Sequence, residues 1–206
     1  MKVIVGCEES QVICKAFRAK GHEAYSCDIV PCSGGHPEWH IQDDVLNHLD
    51  DDWDLGIFHP ECTYLTVTGN KWFKPEFKSR FPTREQDRLD AIDFFMRFTC
   101  TTIPKVAIEN PVGIMSTLYQ KPTQIIHPYY FGDPHPKKTC LWLKGLPKLI
   151  PTNIVEPKYR TTKSGKRMPE WGWYGMSSDP IARKKMRSVT FQGIAEAMAT
   201  QWNFKE

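Results

Sequence analysis

Two short apolar runs end in residues that could do chemistry. Leu55-Gly56-Ile57-Phe58 leads into His59-Pro60-Glu61-Cys62, and Val106-Ala107-Ile108 leads into Glu109-Asn110-Pro111. A cysteine on a proline-stiffened loop directly after a strand is placed as a nucleophile would be. A carboxylic acid at the end of a second strand suits the complementary task. Together they suit thiolate addition to a pyrimidine ring, with sulfur attacking C6 and an acid stabilising the adduct at N3. The addition turns C5, a poor nucleophile, into an enamine-like carbon that can attack an electrophile. Such a glutamate works best when burial raises its pKa, and Asn110 stands where it could orient the carboxylate. A loop cysteine taken alone is more often a small structural hydrophobe. Its loop position and the partner Glu109 are what single out Cys62.

The elements that must hold this pair follow from periodicity. Lys2–Val5 reads as a buried strand. Gln11–Lys20 carries Val12, Ile13, Ala16, Phe17 and Ala19 at helical spacing, with Ser10 as N-cap and Gly21 as stop. Glu23–Cys27 reads as a strand ending at Asp28, Val45–Leu49 as a short helix and Asp54–Phe58 as a strand. Thr83–Thr101 reads as a long amphipathic helix with Leu89, Ile92, Phe95, Met96 and Phe98. Val106–Ile108 and Thr139–Leu143 read as strands, and Gly193–Trp202 as a closing helix. Residues 151–186 read as irregular. The alternation predicts one α/β domain with a largely parallel sheet. Ligands of such sheets bind beyond the carboxyl ends of the strands. Gly6, Asp28, Cys62 and Glu109 are all expected there, which points to one shared site.

Composition narrows the class. The chain has 206 residues and an apolar fraction of 40%, enough for one domain with a real core. No apolar stretch reaches the length of a membrane span, and Met1–Gly6 reads as a first strand rather than a signal peptide. Seven cysteines without regular spacing argue against a disulfide framework and for a reducing cytoplasm. The net charge of +3 hides an asymmetry. Residues 1–61 carry 4 basic and 12 acidic side chains, and residues 137–187 carry 13 basic and 3 acidic. The basic end, with Lys158–Arg167, Trp171, Trp173, Tyr174, Arg183, Lys184 and Lys185, mixes cations with aromatics as a phosphate-contacting, base-stacking segment does. An aromatic loop packed over the sheet would have the same composition. Cys27, Cys32, His36 and His40 are zinc-ligand types, but their spacing fits no standard finger, and no metal is expected.

These motifs taken together resemble the S-adenosylmethionine-dependent cytosine-C5 DNA methyltransferases, in particular compact forms from phage genomes. Val5–Ser10 stands where that family has a Gly-rich cofactor loop. Asp28 matches the acid that binds the cofactor ribose, and Asp44, in Asp43-Asp44-Val45, the acid at the adenine. Asp54–Cys62 resembles the strand and Pro-Pro-Cys loop of the nucleophile. PKVAIENPVG, residues 104–113, resembles the strand ending in Glu-Asn-Val. FGDPHPKKTCLWL, residues 131–143, resembles the FGVPQxRxR segment, and Arg187–Ala199 the segment that returns to the cofactor pocket.

The resemblance implies a Rossmann-like methyltransferase core over residues 1–150, a small substrate-contacting insertion over 151–186 and a closing helix over 187–206. It implies catalytic Cys62, Glu109 and Asn110. S-adenosylmethionine would be held by Gly6, Glu8, Ser10, Asp28, Asp44 and Pro60. The substrate, DNA or else RNA or a free pyrimidine nucleotide, would meet Lys137, Lys138, Arg183, Lys184 and Lys185. Departures are clear. Glu61 and Thr63 flank Cys62 where the family has Pro and Gln. Lys137, Lys138 and Thr139 replace the paired arginines, and Glu8 and Glu9 replace two glycines. The target-recognition domain is nearly absent, so little base readout is expected, and an inactive nucleic-acid- or cofactor-binding module is the reading from another class.

Overall fold

The computed structural model describes residues 1–170, Asp179 and 188–204. Its centre is a seven-stranded sheet in the order β3-β2-β1-β4-β5-β7-β6. The strands are β1 (Lys2–Gly6), β2 (Glu23–Asp28), β3 (His40–Gln42), β4 (Leu55–Phe58), β5 (Lys105–Pro111), β6 (Gln124–Ile126) and β7 (Thr139–Lys144). β1 to β5 run parallel, and β7 lies antiparallel between β5 and β6. This is the expected mixed α/β class, a Rossmann-like sheet of mainly parallel strands.

Alternating strand residues feed two apolar layers. Val3, Val5, Leu55, Ile57 and Ala107 face α1 (Val12–Ala19) and the closing helix, where Ile13, Phe17, Ile194, Met198 and Trp202 meet them. Ile4, Phe58, Val106, Ile108 and Trp142 face α2 (Arg84–Thr99) through Phe95 and Phe98. A short α3 (Met115–Leu118) follows β5, and α4 (Gln192–Gln201) is the closing helix. The two-sided burial explains why β1 and β4 read as continuous apolar runs rather than alternating ones.

Several expectations change. Ser10 makes no cap: Gln11 is the N-cap of α1, and its side chain caps nothing either. Leu89 does not belong to the apolar face of α2, being 59% exposed. Residues 45–49 form a 3₁₀ turn, Val45–His48, rather than a regular helix. The stretch taken as irregular contains an antiparallel hairpin of β8 (Tyr159–Thr161) and β9 (Arg167–Pro169). Gly165, at φ +79, makes its turn, a left-handed conformation that suits glycine. β3 and β6, three residues each, carried no periodic signal. The expected division at residues 150 and 186 falls partly outside the described residues.

Candidate active site

The first half of the site is the loop from β1 to α1. It bends without glycine: Cys7 and Gln11 take left-handed φ angles of 60° and 59°. Gln11 is fully buried, and its amide bonds to Ser26 Oγ, to the His36 carbonyl and to the His36 N–H. Those three bonds hold a conformation that costs an ordinary residue on the order of 1 kcal/mol or more. Glu8 turns inward. Its two carboxylate oxygens accept from Ile13 N at 2.7 Å and Cys14 N at 3.2 Å, at the start of α1. Glu8 therefore does the capping expected of Ser10, in a place favourable to negative charge. Burial nonetheless pushes its carboxyl up to about 7, against the pull of His59 and the two amides.

Gly6 has a packing reason of its own. A Cβ there would meet Val45 Cγ2 at 2.6 Å and the Phe58 ring at 2.7 Å. The same ring covers Gly56 and stacks on Phe98 at 4.4 Å. The missing Cβ at Gly6 makes room for Val45 and Phe58.

Around this loop lies a cleft of ≈ 110 Å³, lined by Cys7, Glu8, Glu9, Ser10, Asp28, His59 and Ser188–Thr190. Asp28 is half-buried at the end of β2 and bonds Val30 N through Oδ1. Burial lifts its carboxyl above the ordinary aspartate range. The lining fits the ribose end of a nucleoside-bearing cofactor: a carboxylate at a strand end is the group that ribose hydroxyls use. Asp44 is exposed, and its Oδ1 accepts from Leu46 N to start the Val45–His48 turn. Pro60 is buried in the neighbouring loop and lies outside the cleft lining.

The second half is built at the ends of β4 and β5. The loop carrying Cys62 is tied to the segment after Glu109 at several points. Asn110 Nδ2 donates to the Pro60 carbonyl at 2.7 Å. The Cys62 carbonyl accepts from Leu65 N and Thr66 N, Val67 N donates to the Val112 carbonyl, and Ile114 N donates to the Leu65 carbonyl. Gly113 packs so closely that a Cβ would meet the Leu65 carbonyl oxygen at 2.2 Å. The expectation that Asn110 orients the Glu109 carboxylate does not hold: it anchors the Cys62 loop, and its buried Oδ1 has no hydrogen-bond partner among the described residues.

His59 holds the carboxylate, and nothing in the residue pattern had singled it out. Its Nδ1 lies 3.1 Å from Glu109 Oε2, with side chains 12% and 19% exposed. A carboxylate only accepts, so the hydrogen is on Nδ1. Burial would raise the Glu109 carboxyl, but the bond from His59 and the charge of Lys137 outweigh it and hold it below the ordinary glutamate value. This reverses the expected direction. Cys62 is half-buried, and its thiol is pushed up by burial and by Glu109 and drawn down by Lys137. Lys137 thus acts on both members of the pair, while also lying over the Phe191 ring at 5.8 Å. Lys138 is exposed and acts on His127 and Cys140 instead. The closing helix is tied to the same segment, since Gly193 N donates to Asp133 Oδ2 at 3.1 Å.

Arg183, Lys184, Lys185, Trp171, Trp173 and Tyr174 lie outside the described residues. Among the described residues no three potential metal ligands gather. His40 bonds Ser26 Oγ and the Val30 carbonyl, and His36 stacks on Trp39 at 3.8 Å. Among the described residues no helix is long and apolar enough to cross a membrane.

No protein-family model matches the sequence, and no curated protein matches it. Among solved structures, the chain is similar to the S. pombe Dnmt2 methyltransferase, with 14% identity and a TM-score of 0.47 over 72% of this chain. The match spans 50% of that protein, so the chain covers about half of its length.

Proposed function

We propose that this chain is an S-adenosylmethionine-dependent methyltransferase acting at C5 of cytosine in DNA through a covalent adduct on Cys62. The observation that carries the reading is the pairing of Cys62 and Glu109 at adjacent strand ends, under the influence of one cation, Lys137. Lys137 favours the thiolate needed for attack, against burial. Cys62 sulfur forms a bond to C6, N3 is protonated, and negative charge does not accumulate on the ring. Glu109 is the group at N3. Asn110 keeps the Cys62 loop in register with β5. Loss of the C5 proton then lets the C6–S bond break and returns the thiolate.

The cleft at Asp28 and Ser10 would hold the cofactor by its ribose, and the group supplies an electrophilic methyl when bound. Glu8 contributes by fixing the start of α1 under that cleft. Duplex DNA would require the cytosine to leave the stack. The hairpin β8–β9 supports a polyanionic partner: Lys163 and Lys166 are exposed, and Arg167 stacks on Tyr159 at 4.1 Å.

The test is transfer of labelled methyl from S-adenosylmethionine to DNA, RNA and dCMP in parallel. Label on DNA cytosine C5 is the expected result. Label on RNA or dCMP alone keeps the chemistry and changes the substrate. No label on any of the three leaves a binding module and removes the enzymatic reading.

A further inference from the structure

We propose that His59 is a positioning residue for Glu109: by donating from Nδ1 to Oε2 it leaves Oε1 as the oxygen that carries the proton to N3 of the base. This rests on the pyrimidine-C5 reading above and gives a role to a residue to which neither the cysteine nor the glutamate motif assigned one.

The geometry makes the division of labour. His59 follows the last residue of β4, and its own N–H is fixed by the Gly6 carbonyl at 3.0 Å. The ring is therefore placed by β1 and β4, while the carboxylate it meets belongs to β5. A bond of 3.1 Å from Nδ1 occupies Oε2. The second ring nitrogen, Nε2, is buried with no hydrogen-bond partner among the described residues. A hydrogen placed there would be a buried donor with nothing to bond, whereas a hydrogen on Nδ1 is fully used. The tautomer is thus set by the pair itself, and with it the orientation of the carboxyl plane.

The consequence is chemical. Cytosine N3 is an acceptor, so it needs a protonated oxygen facing it. With Oε2 already accepting from His59, a proton arriving at Glu109 rests on Oε1. Adduct formation then makes the C6–S and N3–H bonds and breaks Oε1–H. Collapse of the adduct returns the N3 proton to Oε1. In the resting site the carboxyl is held ionised by His59 and Lys137, so the proton is taken up when the base arrives. Among the described residues, the charged and titratable groups around the His59–Glu109 pair are Lys137, Cys62 on the adjoining loop, Cys140 on β7 and Glu8 from the β1–α1 loop.

The experiment compares wild type, His59→Ala and His59→Asn in methyl transfer to whichever of DNA, RNA and dCMP the wild type labels best, across pH. In His59→Asn the side-chain amide can replace Nδ1 as donor. His59→Ala should lose on the order of 10²-fold in kcat, the scale of a misplaced reacting group, with KM changed far less. Its alkaline limb should move to higher pH, because the influences that lower the Glu109 pKa are removed. His59→Asn should recover most of the lost rate. Wild-type kcat and an unmoved pH profile in His59→Ala overturn the assignment, as does a folded His59→Asn no better than His59→Ala. A wild type that prefers uracil also overturns it, since uracil N3 brings its own hydrogen to an ionised carboxylate. If the wild type transfers no methyl and traps no adduct with 5-fluorocytosine, the parent reading fails, whereas active wild type with indifferent His59 variants removes this inference alone.

Discussion

The two halves of the site use acidic side chains in opposite ways. On the β1–α1 side, Glu8 and Asp44 put carboxylate oxygens on backbone N–H groups at the starts of helical turns. These acids build the loop they belong to. On the β4–β5 side, Glu109 takes its bond from another strand's side chain, lies within the influence of Lys137, and raises the pKa of a nearby thiol. That arrangement does little for folding. Groups held under opposing electrostatic demands, without a structural partner of their own chain segment, are where chemistry is to be expected. The comparison shows why residue type alone was a poor guide on one side and a good one on the other.

The sharpest way to break the comparison is to remove the groups on the β4–β5 side and ask whether only the chemistry suffers. Cys62→Ser keeps nearly the same volume, and Cys62 is only half-buried. Methyl transfer should fall to background, on the order of 10⁴-fold or more, with the thermal midpoint almost unmoved. Turnover near wild type in Cys62→Ser would end the proposal of a covalent adduct. Glu109→Gln should lose on the order of 10²-fold or more in rate, and substrate affinity should change less. An unchanged rate would place Glu109 with the structural acids of the other half.

On the β1–α1 side the expectation reverses for Gly6. Gly6→Ala drives a methyl into Val45 and the Phe58 ring, both buried. Overpacking of this kind costs roughly 1–3 kcal/mol of stability. The folded fraction should still bind S-adenosylmethionine with ordinary affinity. Asp28→Ala should do the opposite, weakening cofactor binding by roughly tenfold, the scale of one lost bond to a charged group, with little effect on melting. Calorimetry on both variants checks the pair. Affinity lost in Gly6→Ala and kept in Asp28→Ala would exchange their roles.

Much of this fold was legible because it is carried by long apolar runs. β1, β4 and β5 are buried on both faces, and their sequences say so. The three-residue strands β3, β6, β8 and β9 have too few residues to show a period. In the site, Cys62 and Glu109 were legible because strand, turn and reactive residue are contiguous in sequence. His59 was in plain view in the same loop, but its partner lies on another strand, and only the pairing of β4 with β5 brings them together. The role of Asn110 was misjudged for the same reason: proximity in sequence to Glu109 suggested one contact, and the fold supplied another across the sheet. Glu8 lines the expected cofactor cleft, but its bonds to Ile13 N and Cys14 N depend on how α1 starts, which the loop sequence does not show.

A change of pH separates the two uses of acids. Glu8 is 4% exposed, and folding lifts its carboxyl from the ordinary glutamate value of 4.5 to about 7. The native state therefore binds that proton more tightly than the unfolded chain does. Its contribution to stability is complete below pH 4.5, declines as pH rises through 7, and is gone above. The full span amounts to about 3 kcal/mol. Glu8→Gln cannot titrate. Its amide oxygen can still accept from Ile13 N, but its NH₂ group faces Cys14 N–H, so the variant carries a constant penalty of about 1 kcal/mol. The informative quantity is thus the slope and not the offset. Between pH 5 and 8 the wild-type unfolding free energy should fall relative to that of Glu8→Gln, and because a span of about 3 kcal/mol exceeds a constant penalty of about 1 kcal/mol, the two curves should cross near the acid end of that range and separate as pH rises. Parallel curves would mean that the two amides at the start of α1 hold Glu8 as an ordinary ionised cap, with no strain left at that end of the cleft.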